Sequence, residues 1–240
     1  MKKIFYSVLL FLIVAYACKK DNYAAPDAAL TGIIADAKGA GLQLEQGAGS
    51  ARMKLDELSW SSNPIPLYLN IKQDGSFLND KLFPGTYRVT PVEGPFYPID
   101  SAQMLMVDIR SGNRATANFT VVPYLNVEWI TDPSATGDKK ITASFKFTRS
   151  AAPAGKTQPN LLDYQLFIST TQYVGNNNWD NTIVGGAVTA TAVMEGQTLT
   201  ITSTAAMKYA TTYYVRVGVR VNDSFKKYNY TPVKTVNIAQ

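Results

Sequence analysis

The side chains able to do chemistry in this chain are few and far apart. There is one thiol, Cys18, and no histidine among 240 residues. Without imidazole, Ser-His-Asp and Cys-His nucleophilic catalysis are excluded, as are the usual zinc ligand sets. Carboxylates offer the remaining route, in Asp56-Glu57 and in Asp132 with Asp138. A glycosidase needs two carboxyls facing one cleft, about 5–10 Å apart. Neighbours on a strand point to opposite faces, so these pairs read as solvated surface charge. The Asp132–Asp138 stretch also lacks the dense oxygen ligands of a calcium loop. The residues therefore assign no catalytic group, no metal and no cofactor.

Binding chemistry is better represented. The segment Tyr173-Val174-Gly175-Asn176-Asn177-Asn178-Trp179-Asp180-Asn181 joins a flat ring to several amides and a carboxylate. A ring can cover the apolar face of a pyranose while amides and carboxylates bond its hydroxyls, so Tyr173, Asn177, Trp179 and Asp180 are candidate ligand residues. Trp60, beside Asn63-Pro64-Ile65-Pro66, is a weaker candidate. The plainer reading, a polar loop with Trp179 folded onto a sandwich edge, is the stronger of the two. Trp129 alternates with Leu125 and Val127 and reads as core.

Cys18 has a different chemistry. It follows Lys2-Lys3 and an apolar run, Ile4 to Ala17, that is shorter than the roughly 20 residues of a membrane span. Such a run suits a secretory signal ending at a small residue. Ala15-Tyr16-Ala17-Cys18 resembles a lipobox, in which the thiol takes a diacylglyceryl group and further acylation adds chains such as palmitate. The alternative is an ordinary cleaved signal with a chance cysteine nearby. Residues 1–17 are thus expected to leave as a signal peptide, and 18–29 to form a lipidated polar tether. Losing Lys2 and Lys3 lowers the formal charge of +5 by two, and the remaining Lys and Arg are scattered except Lys19 and Lys20, expected beside the anchor near lipid headgroups. Nucleic-acid binders gather them in a patch or stripe, so no nucleic acid is expected.

The elements that must position these groups are strands. Ile141, Ala143, Phe145 and Phe147 alternate with Thr142, Ser144 and Lys146. Tyr213, Val215, Val217, Val219 and Val221 alternate with Tyr214, Arg216, Gly218 and Arg220, and Leu67, Leu69 and Ile71 repeat the pattern. Period-2 alternation predicts strands with one face on a core, as in antiparallel sandwiches. Turn residues punctuate them at Asp74-Gly75, Pro84-Gly85, Ser111-Gly112-Asn113, Thr136-Gly137-Asp138 and Glu195-Gly196. With 46% hydrophobic residues, a core can form without disulfides. The class is all-β, with two tandem β-sandwiches over 30–123 and 124–240 and seven strands in the second.

Three resemblances follow from particular residues. Leu30 to Asp36, Gln73-Asp74-Gly75-Ser76-Phe77 and Leu82-Phe83-Pro84-Gly85-Thr86-Tyr87-Arg88-Val89 resemble the carboxypeptidase-regulatory-like sandwich of transthyretin-like topology. Thr211, Tyr213, Val215, Arg216 and Val217 resemble the F strand of a fibronectin type III module. That resemblance implies that the Tyr213 hydroxyl ties down nearby backbone, and that Tyr164 is the strand C aromatic. The usual strand B tryptophan is replaced by Phe145 or Phe147.

The whole chain resembles a two-domain family of Bacteroidetes lipoproteins of unknown function. The resembling segments are Cys18 to Tyr23, Leu58-Ser59-Trp60, Lys81 to Tyr87 and Pro91 to Phe96. The resemblance implies an outer-membrane, surface-exposed protein beside a starch-utilisation-type import system. Its implied partners are a glycan, a TonB-dependent channel and a capture lipoprotein. A non-catalytic accessory to glycan capture is thus expected. A structural or adhesive spacer that binds only proteins is the alternative.

Overall fold

A computed structural model describes residues 24–47 and 49–239. The expected signal peptide, Cys18 and residues 19–23 of the tether lie outside the described residues. The described chain is almost entirely β, as expected, and no helix in it is long and apolar enough to cross a membrane.

In chain order the first sandwich contains β1 (Ala28–Ala35), β2 (Arg52–Glu57), β3 (Leu67–Asn70), β4 (Ser76–Leu82), β5 (Gly85–Val92), β6 (Leu105–Ile109), β7 (Arg114–Thr116) and β8 (Phe119–Thr120). One sheet has the order β4-β1-β7, with β8 also on β1, and the other has the order β3-β2-β5-β6. Between them lie Leu30, Ile34 and Phe77 from one side and Met53, Leu55, Tyr87, Val89 and Ile109 from the other. The pairing is antiparallel except where β7 and β8 run parallel to β1. Parallel pairing arises because the chain crosses between sheets at the 110–113 turn and rises alongside β1.

That crossing depends on Gly32. A Cβ there would lie 1.9 Å from the Ala117 carbonyl oxygen and 2.6 Å from the Phe77 ring, inside contact distance of backbone that cannot swing away. Gly32→Ala should therefore force β1 and the link between β7 and β8 apart and cost roughly 1–3 kcal/mol. A lower denaturant midpoint at unchanged slope would show it, and an unaltered midpoint would refute it.

The second sandwich contains β9 (Leu125–Ala135), β10 (Ile141–Arg149), β11 (Leu161–Ser169), β12 (Val188–Thr189), β13 (Leu199–Thr202), β14 (Thr212–Val221), β15 (Tyr228–Tyr230) and β16 (Lys234–Asn237). Its sheets are β13-β10-β9 and β12-β11-β14-β15, with β16 also on β14. That makes eight described strands rather than seven, since the two-residue β12 is too short to read from alternation. Ile141, Ala143, Phe145 and Phe147 are buried, as are Tyr213, Val215, Val217, Val219 and Val221. Trp129 is half-buried against this core, and its indole N–H donates to the Pro232 carbonyl at 2.8 Å.

One face departs from simple alternation. Arg216, on the side of β14 expected to meet solvent, is fully buried. Phe167, Val174, Tyr228 and Tyr230 pack as a second apolar layer on that face, and the first sandwich closes over it. Asp56 differs in the same way. It is 2% exposed rather than solvated, because Arg88 and Lys54 on the same sheet face both bond its Oδ2, at 2.9 and 3.1 Å.

The two ends of the first sandwich are distinct. The chain enters beside the 58–66 loop, the 83–84 turn and the 110–113 turn, as Ala28 pairs with Leu82 and Ala29 with Arg114. The opposite end, with Leu44, Glu45 and Pro95, meets the second sandwich. There Asn229 accepts from the Leu125 N–H at 3.1 Å and donates to the Pro95 carbonyl at 2.9 Å.

Candidate functional site

The segment after β11 serves two purposes. Its first half is committed to the junction between the sandwiches. The N–H groups of Asn176 and Asn177 donate to the two carboxylate oxygens of Glu45, at 2.9 and 3.0 Å, and the Tyr230 hydroxyl donates to the same group. Gly175 makes this approach feasible, since a Cβ there would lie 2.6 Å from Glu45 Oε1. Behind the carboxylate, Arg216 donates to the Leu44 carbonyl at 2.9 Å and the Thr231 carbonyl at 3.2 Å, and its guanidinium lies 4.1 Å from the Tyr230 ring centroid. Burial lowers the Arg216 pKa to about 10, so the side chain stays charged at neutral pH. Burial and the Glu45 charge push the Tyr230 hydroxyl well above its usual range.

The second half of the segment lines a cleft of about 330 Å³ with Ser169, Thr170 and Tyr209. Trp179 is half-buried at its wall, with its ring edge-on to Phe167 at 5.9 Å. Tyr209 is 65% exposed. Its backbone N–H donates to the Tyr213 hydroxyl at 3.0 Å, which fixes the Tyr209 backbone at the cleft. Asn178, Asp180 and Asn181 also line the cleft, although the Asn178 amide already donates to the Thr171 hydroxyl at 2.5 Å and the Tyr173 carbonyl at 3.2 Å. Asp180 accepts from the Thr182 hydroxyl at 2.5 Å and N–H at 2.9 Å, and from Lys208 at 3.1 Å. The hydrogen bond from the Thr182 side chain, with the backbone bond and Lys208, holds its carboxyl below the usual range.

The structure thus brings together two of the sequence candidates, Trp179 and Asp180, and separates the others. Tyr173 is exposed but outside the cleft wall, and the backbone of Asn177 is taken up by Glu45. Trp60 lies in the other sandwich, at its far end. Tyr209 was not legible as a partner of Trp179, because the two lie on segments joined only through the pairing of β11 with β14. Its one sequence signal is its place four residues before the tyrosine of the T-x-Y-x-V-R-V pattern.

The arrangement can stack and hydrogen-bond a ligand; it shows no acid–base pair. Carboxylates elsewhere are tied to cations: Asp163 to Arg220, Asp132 to Lys234 and Glu93 to Arg52. Among the described residues no group of three His, Cys, Asp or Glu side chains could hold a metal ion. A second cleft of about 260 Å³, lined by Pro91, Phe96, Ile99, Met104 and Phe225, is mostly apolar and suits hydroxyl-rich ligands less well.

Comparison with known proteins places this architecture. A DUF3823 family protein from Bacteroides uniformis shares 24% identity, with a TM-score of 0.76 over 89% of this chain and all of that one. A second B. uniformis structure, described as a "putative carbohydrate binding protein", shares 24% identity with a TM-score of 0.70 over the same 89% and its whole length. A DUF3823 family protein from Parabacteroides merdae shares 23% identity with a TM-score of 0.70, again over 89% of this chain and all of that one. A comparison with curated proteins found no match. Residues 28–122 match the N-terminal domain of DUF3823, a protein of unknown function, and residues 130–235 match DUF3823_C, a domain of unknown function. With both halves matched in order, the chain belongs to the DUF3823 family.

Proposed function

We propose that this is a non-catalytic, lipid-anchored outer-membrane protein whose Trp179–Tyr209 cleft captures a glycan as an accessory to nutrient import. The observation that carries the reading is the meeting, in one cleft, of two aromatic rings with Asn178, Asp180 and Asn181. The fold shared with the structure described as a "putative carbohydrate binding protein" supports it. At about 330 Å³ the cleft is near the lower limit of ligand pockets, which run roughly 300–1,000 Å³. It suits one residue of a polymer rather than a whole oligosaccharide. A ring covering on the order of 60–80 Å² of sugar contributes about 2 kcal/mol before ordering costs. Single-site affinity is therefore millimolar in scale, made useful by a repeating polymer or a partner lipoprotein.

The test is affinity electrophoresis against a panel of polysaccharides. Tyr209→Ala should weaken retardation about tenfold, the equivalent of roughly 1.4 kcal/mol, without unfolding, because its ring is outside the core. Trp179→Ala should abolish retardation but also loosen the Phe167 layer. Because the Asp180 carboxyl is held below its usual range, it is ionised from about pH 5 upward, and retardation should stay flat between about pH 5 and 8. Retardation undiminished by Tyr209→Ala removes the site.

A spacer is the second reading, and the Glu45–Arg216–Tyr230 junction favours it because it links the two sandwiches through buried polar contacts. Failure of every glycan to bind, with co-purification of an adhesive or channel protein, would leave that reading standing.

A further inference from the structure

The end of the first sandwich where the chain enters carries side chains that a solvated loop cluster does not need. On the 58–66 loop Trp60 is 70% exposed and Ile65 95% exposed; Phe83, on the adjacent 83–84 turn, is also exposed. None of them belongs to the core between the sheets. Strand register puts all three at the same end as Asp27, the residue before β1, and opposite the end that meets the second sandwich. Cys18 lies nine positions before Asp27 in the sequence. Even fully extended, nine residues reach only about 30 Å, so a lipid on Cys18 would keep this end close to the bilayer.

We infer that the tips of the 58–66 loop and the 83–84 turn, through Trp60, Ile65 and Phe83, insert into the lipid interface beside the anchor and set the tilt of the body on the membrane. This rests on the lipid-anchor reading of Cys18. Tryptophan is the side chain best matched to that interface, with an apolar body and an N–H able to reach headgroups. The occupant is a lipid surface rather than a partner protein because the tether keeps lipid within reach permanently, at high effective concentration. Charges in the tether and near this end offset one another, with Lys19, Lys20, Lys81, Arg110 and Arg114 against Asp21, Asp27, Glu57, Asp80 and Asp108. The contact is therefore apolar in origin and should be as strong on zwitterionic as on anionic lipid, with little response to salt.

The full-length protein, reconstituted in phosphatidylcholine vesicles with brominated acyl chains, tests this through tryptophan quenching. Part of the emission should be quenched. Trp60→Phe should remove that quenched part, whereas Trp129→Phe and Trp179→Phe should keep it. Ile65→Ser, which leaves Trp60 as reporter, should reduce the quenching. Ile65 is exposed and Trp60→Phe keeps an aromatic ring on an exposed loop, so both variants should fold. Protein that floats with vesicles and has the mass of an acylated chain, yet shows quenching unaffected by Trp60→Phe, overturns the inference while the anchor stands. A mass without acyl chains overturns the anchor reading, and with it the reason for placing this end on lipid.

Discussion

Cys18→Ala is expected to release essentially all of the protein from the membrane fraction. Lipid attachment strengthens by about 0.8 kcal/mol per buried methylene, so one acyl chain holds marginally and two or more hold effectively permanently. Loop tips such as Trp60 and Ile65 bury too little area to substitute for those chains. No helix among the described residues can span a bilayer. Fractionation, with metabolic labelling by a radioactive fatty acid, measures the effect. The wild type should take label and pellet with membranes, and the variant should do neither. A Cys18→Ala protein that still pellets and still takes label would end the anchor reading.

Glu45→Ala should produce the largest loss of stability of any single substitution at the junction. The Asn177 N–H and the Tyr230 hydroxyl would lose the Glu45 carboxylate, and the Asn176 N–H would keep only the Tyr230 hydroxyl oxygen, at 3.1 Å. The buried Arg216, already with one unpartnered nitrogen, Nη2, would lose the negative charge nearest its guanidinium. Removing one member of a buried charged set costs roughly 3–5 kcal/mol, since the remaining charge is left uncompensated. For a chain of this size that is a fall in melting temperature of roughly 10 °C. Glu45→Gln, which keeps acceptor geometry at Oε1 but not the charge, should lose less. Calorimetry should also show the single transition broadening or splitting as the two sandwiches uncouple. A Glu45→Ala protein with an unchanged melting curve would show that the cluster contributes little.

The same residues show how far local pattern carries. Alternation marked Ile141, Ala143, Phe145 and Phe147, and the inward valines of β14, because the side-chain period of a strand is local and one buried face imposes it. It misjudged Arg216 and Asp56, whose burial depends on what is laid over an outer sheet face: the aromatic layer of Phe167, Tyr228 and Tyr230 in one case, the flanking Arg88 and Lys54 in the other. Nothing near position 216 in the chain announces Leu44 as its partner.

The candidate site divides along the same line. That Trp179 and Asp180 belong together was legible from their adjacency, and so was the chemistry they offer. That Tyr209 completes the cleft, while Tyr173 and Asn177 turn away from it, followed from the pairing of β11 with β14 and from Glu45 reaching over from the other sandwich. The sequence by itself determined the all-β class, the inward side of its main strands and the type of chemistry available, because these depend on residue identity and near neighbours. The tertiary structure alone decided which loops share a cleft, which charges are buried and at which end of the first sandwich the chain enters. Those depend on contacts between segments up to 185 positions apart, as for Glu45 and Tyr230, and no local period encodes them.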